Sequence, residues 1–403
     1  MKTNMKYTTL ALLSASLLSA PLAFAEENAV ASGVKKALSD STVKLSFRAR
    51  YEGVDEDNTY DNASALTLKS RITVNTGSFK GFSAGVEVDN VTDIIDNYNS
   101  TTNGETEYSK VVDPTGTDIN QFFLKYSTDS FSATAGRQRI LHNNQRFVGG
   151  VGWRQNEQTY DGYRFQVNPA KGLSVDYSYV YNVNRIFGPD GGAKPADLHG
   201  QFHLLNTGYK INKDHKVNAY AYLLDFDTLA SASTDTYGVS YNGKFGPVMV
   251  NAAYATQSEA GDNTKDFSAD YYNFEVGTKV SSVTLLAGIE SLGSDNDVAF
   301  STPLATLHKF QGFADKFLAT PGKGIEDIYV TAKTKVNGIK LSATYHDLSS
   351  DVDGIDYGSE IDVAAAYAIN KNYSVLVKLA SFSSDNADYV DTDKLWVQVA
   401  AKF

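Results

Sequence analysis

Nine arginines occupy one third of this chain and none occupy the rest. They are Arg48, Arg50, Arg71, Arg137, Arg139, Arg146, Arg154, Arg164 and Arg185; residues 186–403 use only lysine as a permanent cation. A guanidinium stays charged and presents a planar fork that fits carboxylates and phosphates. Clustered arginines therefore suggest recognition of an anion. The competing reading is structural: the same arginines could pair with Glu52, Glu87, Asp89 and nearby loop acids and brace a wall.

Other chemistry is thinly represented. The six histidines, His142, His199, His203, His215, His308 and His346, make no recognised metal-ligand spacing. Ser342 and His346 share one side of a strand, without a third group to complete a nucleophilic site. No phosphate loop or dinucleotide fingerprint is present, and no cofactor is expected. There is no cysteine, which excludes a thiol nucleophile, a Cys-ligated metal and a lipid anchor on Cys. Asp113 and Asp118 flank a Pro-Thr-Gly turn, a pattern that suits a calcium site or a plain turn. The reading is of a protein that is not an enzyme.

Strands must position these groups. Residues 1–25, "MKTNMKYTTLALLSASLLSAPLAFA", read as a secretory signal, with Lys2 and Lys6 ahead of an apolar run and Ala23-Phe24-Ala25 at the cleavage site. The net charge of −11 becomes −13 once those two lysines leave, which argues against nucleic-acid binding. No later stretch approaches the roughly 20 apolar residues of a membrane helix. Residues 26–42 form an N-terminal segment, expected in the periplasm or weakly plugging the lower mouth. From Val43 onward, two-residue alternation continues to the end. In "VKLSFRARY", Val43, Leu45, Phe47, Ala49 and Tyr51 face one way, and Lys44, Ser46, Arg48 and Arg50 the other. The last stretch, "DTDKLWVQVAAKF", repeats the pattern down to Phe403.

The connections alternate between tight turns such as "GSFKG", "STDS" and "KVNG" and long polar loops, chiefly 90–117, 140–159 and 291–324. Loops sorted by length to opposite ends indicate a transmembrane antiparallel β-barrel, all-β, of about 18 strands over residues 43–403. Its apolar row faces lipid and its polar row faces the lumen. The final strand would pair with the first to close it. Phe82, Tyr126, Phe131, Phe245, Tyr373 and Phe403 would form the periplasmic aromatic girdle.

Alternation then assigns Arg48, Arg50, Lys69, Arg71, Glu87, Lys125 and Arg164 to the lumen, with Arg139, Arg146 and Arg154 joining them from or beside the 140–159 loop. Arg137 breaks the scheme: it counts outward, unless Gly136 marks a register-resetting bulge or Arg137 stands above the hydrocarbon. A barrel this wide leaves an aqueous channel. Two loops are expected to narrow it. In the first, Trp153 could stack on a sugar ring or pack at the rim. In the second, "TPLATLHKFQGFADKFLATPG", Thr302 and Pro303 start, and Pro321-Gly322 stop, an amphipathic helix bearing Leu304, Leu307, Phe310, Ala314 and Phe317 on one face. It would bring His308, Lys309 and Lys316 to the constriction, act as a lid, or cap the rim.

"GRQRILHNNQRFVGGVGWRQNEQTYDGYRF" (136–165), "VVDPTGTDINQFFLKY" (111–126) and "STPLATLHKFQGFADKFLATPGKGIEDIYV" (301–330) resemble the alginate-export-type family of porin-like outer-membrane barrels, over nearly the whole mature chain. The resemblance implies a basic pore for uronate-bearing or other small anionic solutes. Its environment would be outer-membrane lipid and lipopolysaccharide, and Phe403 is similar to the terminal signal read by the barrel-assembly machinery. A homotrimer is common among porins, though no protomer interface is legible. The expected function is an outer-membrane diffusion channel for small hydrophilic, carboxylated or sugar-acid solutes. The alternative is export of an anionic polysaccharide such as alginate.

Overall fold

The computed structural model describes residues 29–192 and 194–403; the signal expected over 1–25 lies outside the described residues. Among the described residues, a helix, α1 (Ala29–Ser39), precedes the sheet. The first strands are β1 (Thr42–Glu56), β2 (Ala63–Asn75), β3 (Phe82–Asn97), β4 (Gly116–Ser127) and β5 (Phe131–Gln138). Next come β6 (Thr159–Ala170), β7 (Leu173–Asn184), β8 (Asp197–Lys210), β9 (His215–Phe226), β10 (Thr234–Phe245) and β11 (Val248–Glu259). Then follow β12 (Ser268–Val280), β13 (Val283–Leu292) and a small hairpin, β14 (Ser294–Asp295) and β15 (Val298–Ala299). The chain continues through β16 (Ile325–Val336), β17 (Ile339–Ser349), β18 (Asp356–Ala368), β19 (Tyr373–Ser384) and β20 (Thr392–Lys402).

Leaving out the β14–β15 hairpin, the strands form one antiparallel sheet of 18, each joined to its sequence neighbour. The sheet closes where β1 pairs with β20, from Ser46 opposite Lys402 to Glu56 opposite Thr392. Leu45 and Phe403 complete the seam by exchanging backbone hydrogen bonds of 2.8 and 3.0 Å. Closure pairs every strand on both sides, which lipid demands because hydrocarbon offers no partner to a free N–H or C=O.

The two faces follow the alternation. Val43, Leu45 and Phe47 are exposed on the outside, and Arg50 and Glu52 on the same strand are buried inside. Phe82, Phe245, Tyr373 and Phe403 are exposed at the short-turn end. Toward the long-loop end, exposed Tyr254 and Tyr272 donate to Asp270 and Glu326, both at 2.9 Å, so the outer face turns acidic just above its tyrosines. Helix α1 packs on the first short turn, where Gly77 N–H donates to the Ala37 carbonyl at 2.9 Å.

Arg137 stays on the outer face. Pairing runs through β4, β5 and β6 without a register shift at Gly136, setting Arg137 opposite exposed Phe122 and opposite Asp161. Asp161 neutralises it with bonds of 2.8 and 3.1 Å. Gly136 is needed for another reason. Its φ is +114° and a Cβ there would strike the Phe122 carbonyl. Gly136→Val is expected to destabilise the barrel by about 1–3 kcal/mol. The urea midpoint of the folded band on a semi-native gel measures this, and an unchanged midpoint would refute it.

Inside the long-loop half, side chains from the strands and loops form one dry cluster that includes Phe202, Leu224, Phe226, Tyr271, Phe300, Leu304, Phe317, Phe382 and Trp396. The barrel is too wide for its own side chains to fill. The inserted loops supply the missing volume there.

Candidate pore and its inserted loops

The amphipathic helix expected after Thr302 does not form. That segment has a single 3-10 turn, Leu307–Lys309, and left-handed residues at Gln311, Gly312 and Asp315. Two amides in its middle bond to the wall instead of to a preceding helical turn. Phe313 N–H donates to Asp362 at 3.0 Å, and Ala314 N–H to Glu360 at 2.7 Å. Apolar spacing alone could not foresee this, because the competing acceptors lie on β18, about fifty residues on. The segment does fold into the lumen.

The 139–158 loop folds in beside it, and the arginines hold both in place. Arg48 on β1 donates to Gln155 at 2.8 Å and to the Gly152 and Arg154 carbonyls. Arg50 bonds to the Trp153 carbonyl and pairs with Asp113. Arg154 pairs with Glu52 at 2.9 Å and with Asp315 at 3.1 Å. Arg146 contacts Glu290 at 3.0 Å, Thr302 at 3.1 Å and Gln311 at 3.2 Å, joining both loops to β13. Lys316 ties the second loop to Glu56 at 3.1 Å and Thr392 at 2.8 Å. Asp113 is therefore held by guanidinium groups, not placed as a calcium ligand, and Asp118 faces Arg137 at 3.6 Å.

Lys69, Arg71 and Arg139 gather around Glu87, Asp89 and the loop carboxylate Glu157. Arg164 pairs with Asp176. Lys125 is half-buried on the inward row and makes no ion pair or hydrogen bond among the described residues. Thus the arginine half of the wall is occupied by loops and most of its cations are matched by acids, Arg48 and Lys125 excepted. Arg50, Arg146 and Arg154 are buried rather than lining open water.

Open volume lies along the other half. A cavity of about 680 Å3 runs down β9 to β13 and β16 to β18, roofed by His142, Asn144, Phe147 and the Lys309–Phe313 segment. Its wall includes Asn218, Tyr220, Tyr222, Asn242, Asn251, Asn273 and Tyr329, with Lys216 and Lys333. The side chains of Lys216 and Lys333 have no ion pair or hydrogen bond among the described residues, and the Lys309 ammonium donates only to the Asn144 carbonyl, at 3.0 Å. Of the lining acids, Glu290 belongs to Arg146, and Asp327 and Asp362 close on His346 at 2.9 and 3.6 Å. Glu275 accepts only neutral donors, Asn251 at 2.7 Å and Tyr329 at 3.1 Å.

The family model for alginate export matches residues 41–284, more than half of the chain and most of the arginine-bearing wall. The chain belongs to the alginate export family. Solved structures similar to this alginate export barrel include OccK3 (OpdO) of Pseudomonas aeruginosa, at TM-score 0.68 and 13% identity, covering 94% of this chain and 99% of that one. OccAB2 of Acinetobacter baumannii follows at 0.71 and 15%, covering 91% and 99%. The outer membrane protein opdK of P. aeruginosa gives 0.71 and 12%, covering 91% and 99%. At these identities the likeness is one of fold. No curated protein matches the chain.

Where its two loops meet, the alginate export barrel has an aromatic lock. Trp153 stacks on His308 at 4.5 Å and 6°, and both meet Trp396 edge-on. The Lys378 ammonium lies 3.1 Å from the Phe313 ring centre and 4.3 Å from that of Trp153, and donates to His308 Nε2 at 2.7 Å. His308 Nδ1 faces Asp315 at 2.7 Å. Burial, with the charges of Lys378 and Arg154, pushes the His308 imidazole down to about 3 against the pull of Asp315. Burial alone would raise the Asp315 carboxyl, but His308, Lys394 and Arg154 hold it well below the usual carboxylate range.

The sign of the pH effect follows. A released His308 takes up a proton near pH 6.5 and the seated one does not. The seat is therefore at full strength above pH 6.5 and weakens toward pH 3, by about 1.4 kcal/mol per unit. Lowering the pH from 7.5 to 4.5 is expected to raise single-channel conductance, and His308→Gln should flatten that response. Identical pH profiles would reject the assignment.

Sequence reading missed Lys216, Glu157 and Asp315 as site residues. Alternation along β9 places Lys216 beside Asn218 and Tyr220, so it was available. Glu157 and Asp315 sit in irregular loops, where no period reveals a side chain's direction.

Proposed function

We propose that this chain is an outer-membrane diffusion channel for small hydrophilic solutes, with a preference for anions. The observation that carries the reading is the excess of unpaired positive charge at the cavity: Lys216, Lys309 and Lys333 against Glu275 and the one carboxylate charge that His346 leaves over from Asp327 and Asp362. Clefts lined by one sign of charge concentrate the opposite ion. The solute gradient drives passage, and neither catalysis nor a cofactor is required. In the membrane, lipid covers the apolar rows, lipopolysaccharide surrounds the long-loop end, and the barrel-assembly machinery inserts the chain by the strand ending at Phe403. The arginines bear on selectivity indirectly in this state, by holding the loops that roof the cavity.

The test is reversal potential across planar bilayers in a salt gradient. Replacing Lys216, Lys309 and Lys333 together by Gln is expected to move permeability from anion-favouring toward cation-favouring. A triple variant with wild-type selectivity would overturn the reading. Export of an anionic polysaccharide is the second reading, favoured by the family match over residues 41–284. It requires both inserted loops to leave, because the long-loop half of the lumen is packed.

A further inference from the structure

Glu157 is a loop residue whose carboxylate is held the way a bound ligand would be. Its Oε1 lies 3.0 Å from Arg71 Nη2 and 3.5 Å from Lys69 Nζ. Its Oε2 accepts from Arg139 Nε at 2.5 Å and from Asn120 Nδ2 at 3.2 Å. Each oxygen thus faces two donors, and three of the four are cations. A carboxylate gains most from such charge-assisted, convergent bonds.

The donors do not depend on Glu157 for their positions. Asp89 holds Arg71 with bonds of 2.5 and 2.6 Å and Lys69 at 3.1 Å. Glu87 lies 3.3 Å from Arg71 and accepts from both terminal nitrogens of Arg139. Those acids are on β3, Lys69 and Arg71 on β2 and Asn120 on β4, while Arg139 directly follows β5, so the cradle is built on the strands and on the first residue after one of them. The wall contributes three cations, Lys69, Arg71 and Arg139, against two acids, Glu87 and Asp89. One positive charge is left over, and Glu157 matches it. Burial would raise the Glu157 carboxyl, but Lys69, Arg71 and Arg139 keep it well below the usual range, so it remains an anion. The site is not sealed: the Arg139 side chain is 26% exposed and that of Glu157 11%.

We propose that Lys69, Arg71, Arg139 and Asn120 form a carboxylate-binding site of the channel, filled in this state by Glu157 as a tethered occupant that a solute carboxylate replaces. This rests on the channel reading and locates where the solute's anionic group docks. It also gives the matched arginine wall a role: its unbalanced charge is masked until Glu157 leaves. Exchange needs no covalent step. The incoming carboxylate takes over the four donors, and the partly exposed Glu157 side chain turns out of the cradle into water.

The experiment compares wild type with Glu157→Gln, which keeps the shape and removes the charge. In planar bilayers with a potassium chloride gradient, the variant is expected to show an anion-to-cation permeability ratio higher by roughly tenfold, the lower end of the effect of a focused charge on local ion concentration. Added potassium acetate should reduce the variant's chloride current saturably, and the wild-type current only at higher acetate concentrations, where acetate displaces Glu157. Equal ratios with no acetate effect, in two conducting proteins, would overturn the proposal and leave the channel reading intact. Absence of current in both would overturn the channel reading and this proposal with it. If Glu157→Gln refolds poorly, acetate at fixed ionic strength should restore the folded band where chloride does not. No rescue would also overturn it.

Discussion

In Arg146→Met the two inserted loops are expected to leave the lumen together. The buried Arg146 guanidinium touches Glu290 on the wall, Thr302 and Gln311 on the second loop, and the face of Phe310 at 4.7 Å, from a position on the first loop. Methionine fills similar volume but leaves Glu290, itself buried, without its cation. Removing one partner of a buried ion pair costs about 3–5 kcal/mol, because the surviving charge is stranded. Glu290 recovers by taking up water from the cavity it lines, and both loops lose their tie to β13. Single-channel conductance should rise severalfold, and proteases added from the long-loop side should cut within 139–158 and 300–324. The heat-resistant folded band should persist, because strand pairing is untouched. Wild-type conductance with both loops protected would contradict this.

Trp153→Ala should have the next largest effect. Trp153 packs against His308, Trp396 and the cations of Lys378 and Arg50, the last at 4.7 Å from its ring. Truncating a fully buried aromatic to alanine costs about 3–5 kcal/mol, and half-buried Trp153 should lose somewhat less. The neighbours are in a poor position to absorb it. The indole N–H groups of Trp153 and Trp396 are both buried without an acceptor, so the packing is already held against an uncompensated polar cost. The expected outcome is a noisier channel with frequent transitions to a higher-conductance level, partly corrected in Trp153→Phe. A quiet, wild-type trace from the alanine variant would show that the lock does not hold the loops.

The fold was legible because one rule repeats along every strand. Lys69 and Arg71 inward, Leu395, Val397, Val399 and Ala401 outward and closure of the last strand on the first all follow from alternation and the needs of backbone in lipid. The loops obey no such rule. Leu304, Leu307 and Phe317 have helical spacing, yet carboxylates on a distant strand took the amides a helix requires. The arginines were visible and their environment was not. Arg50, Arg71 and Arg154 gain their character from Asp113, Glu157 and Asp315, which only the folded loops bring near. A wall that reads as basic in one dimension is close to neutral in three.

The seam joining Ser46 to Lys402 has a kinetic consequence. Its partners are separated by nearly the entire polypeptide, so its bonds must be among the last to form, and until then both terminal strands present bare edges inviting wrong pairings. Once joined, the cylinder has no rim from which strands can peel one at a time. Opening then demands a large concerted rupture, and the protein's persistence is governed by the height of that barrier more than by the depth of the folded well.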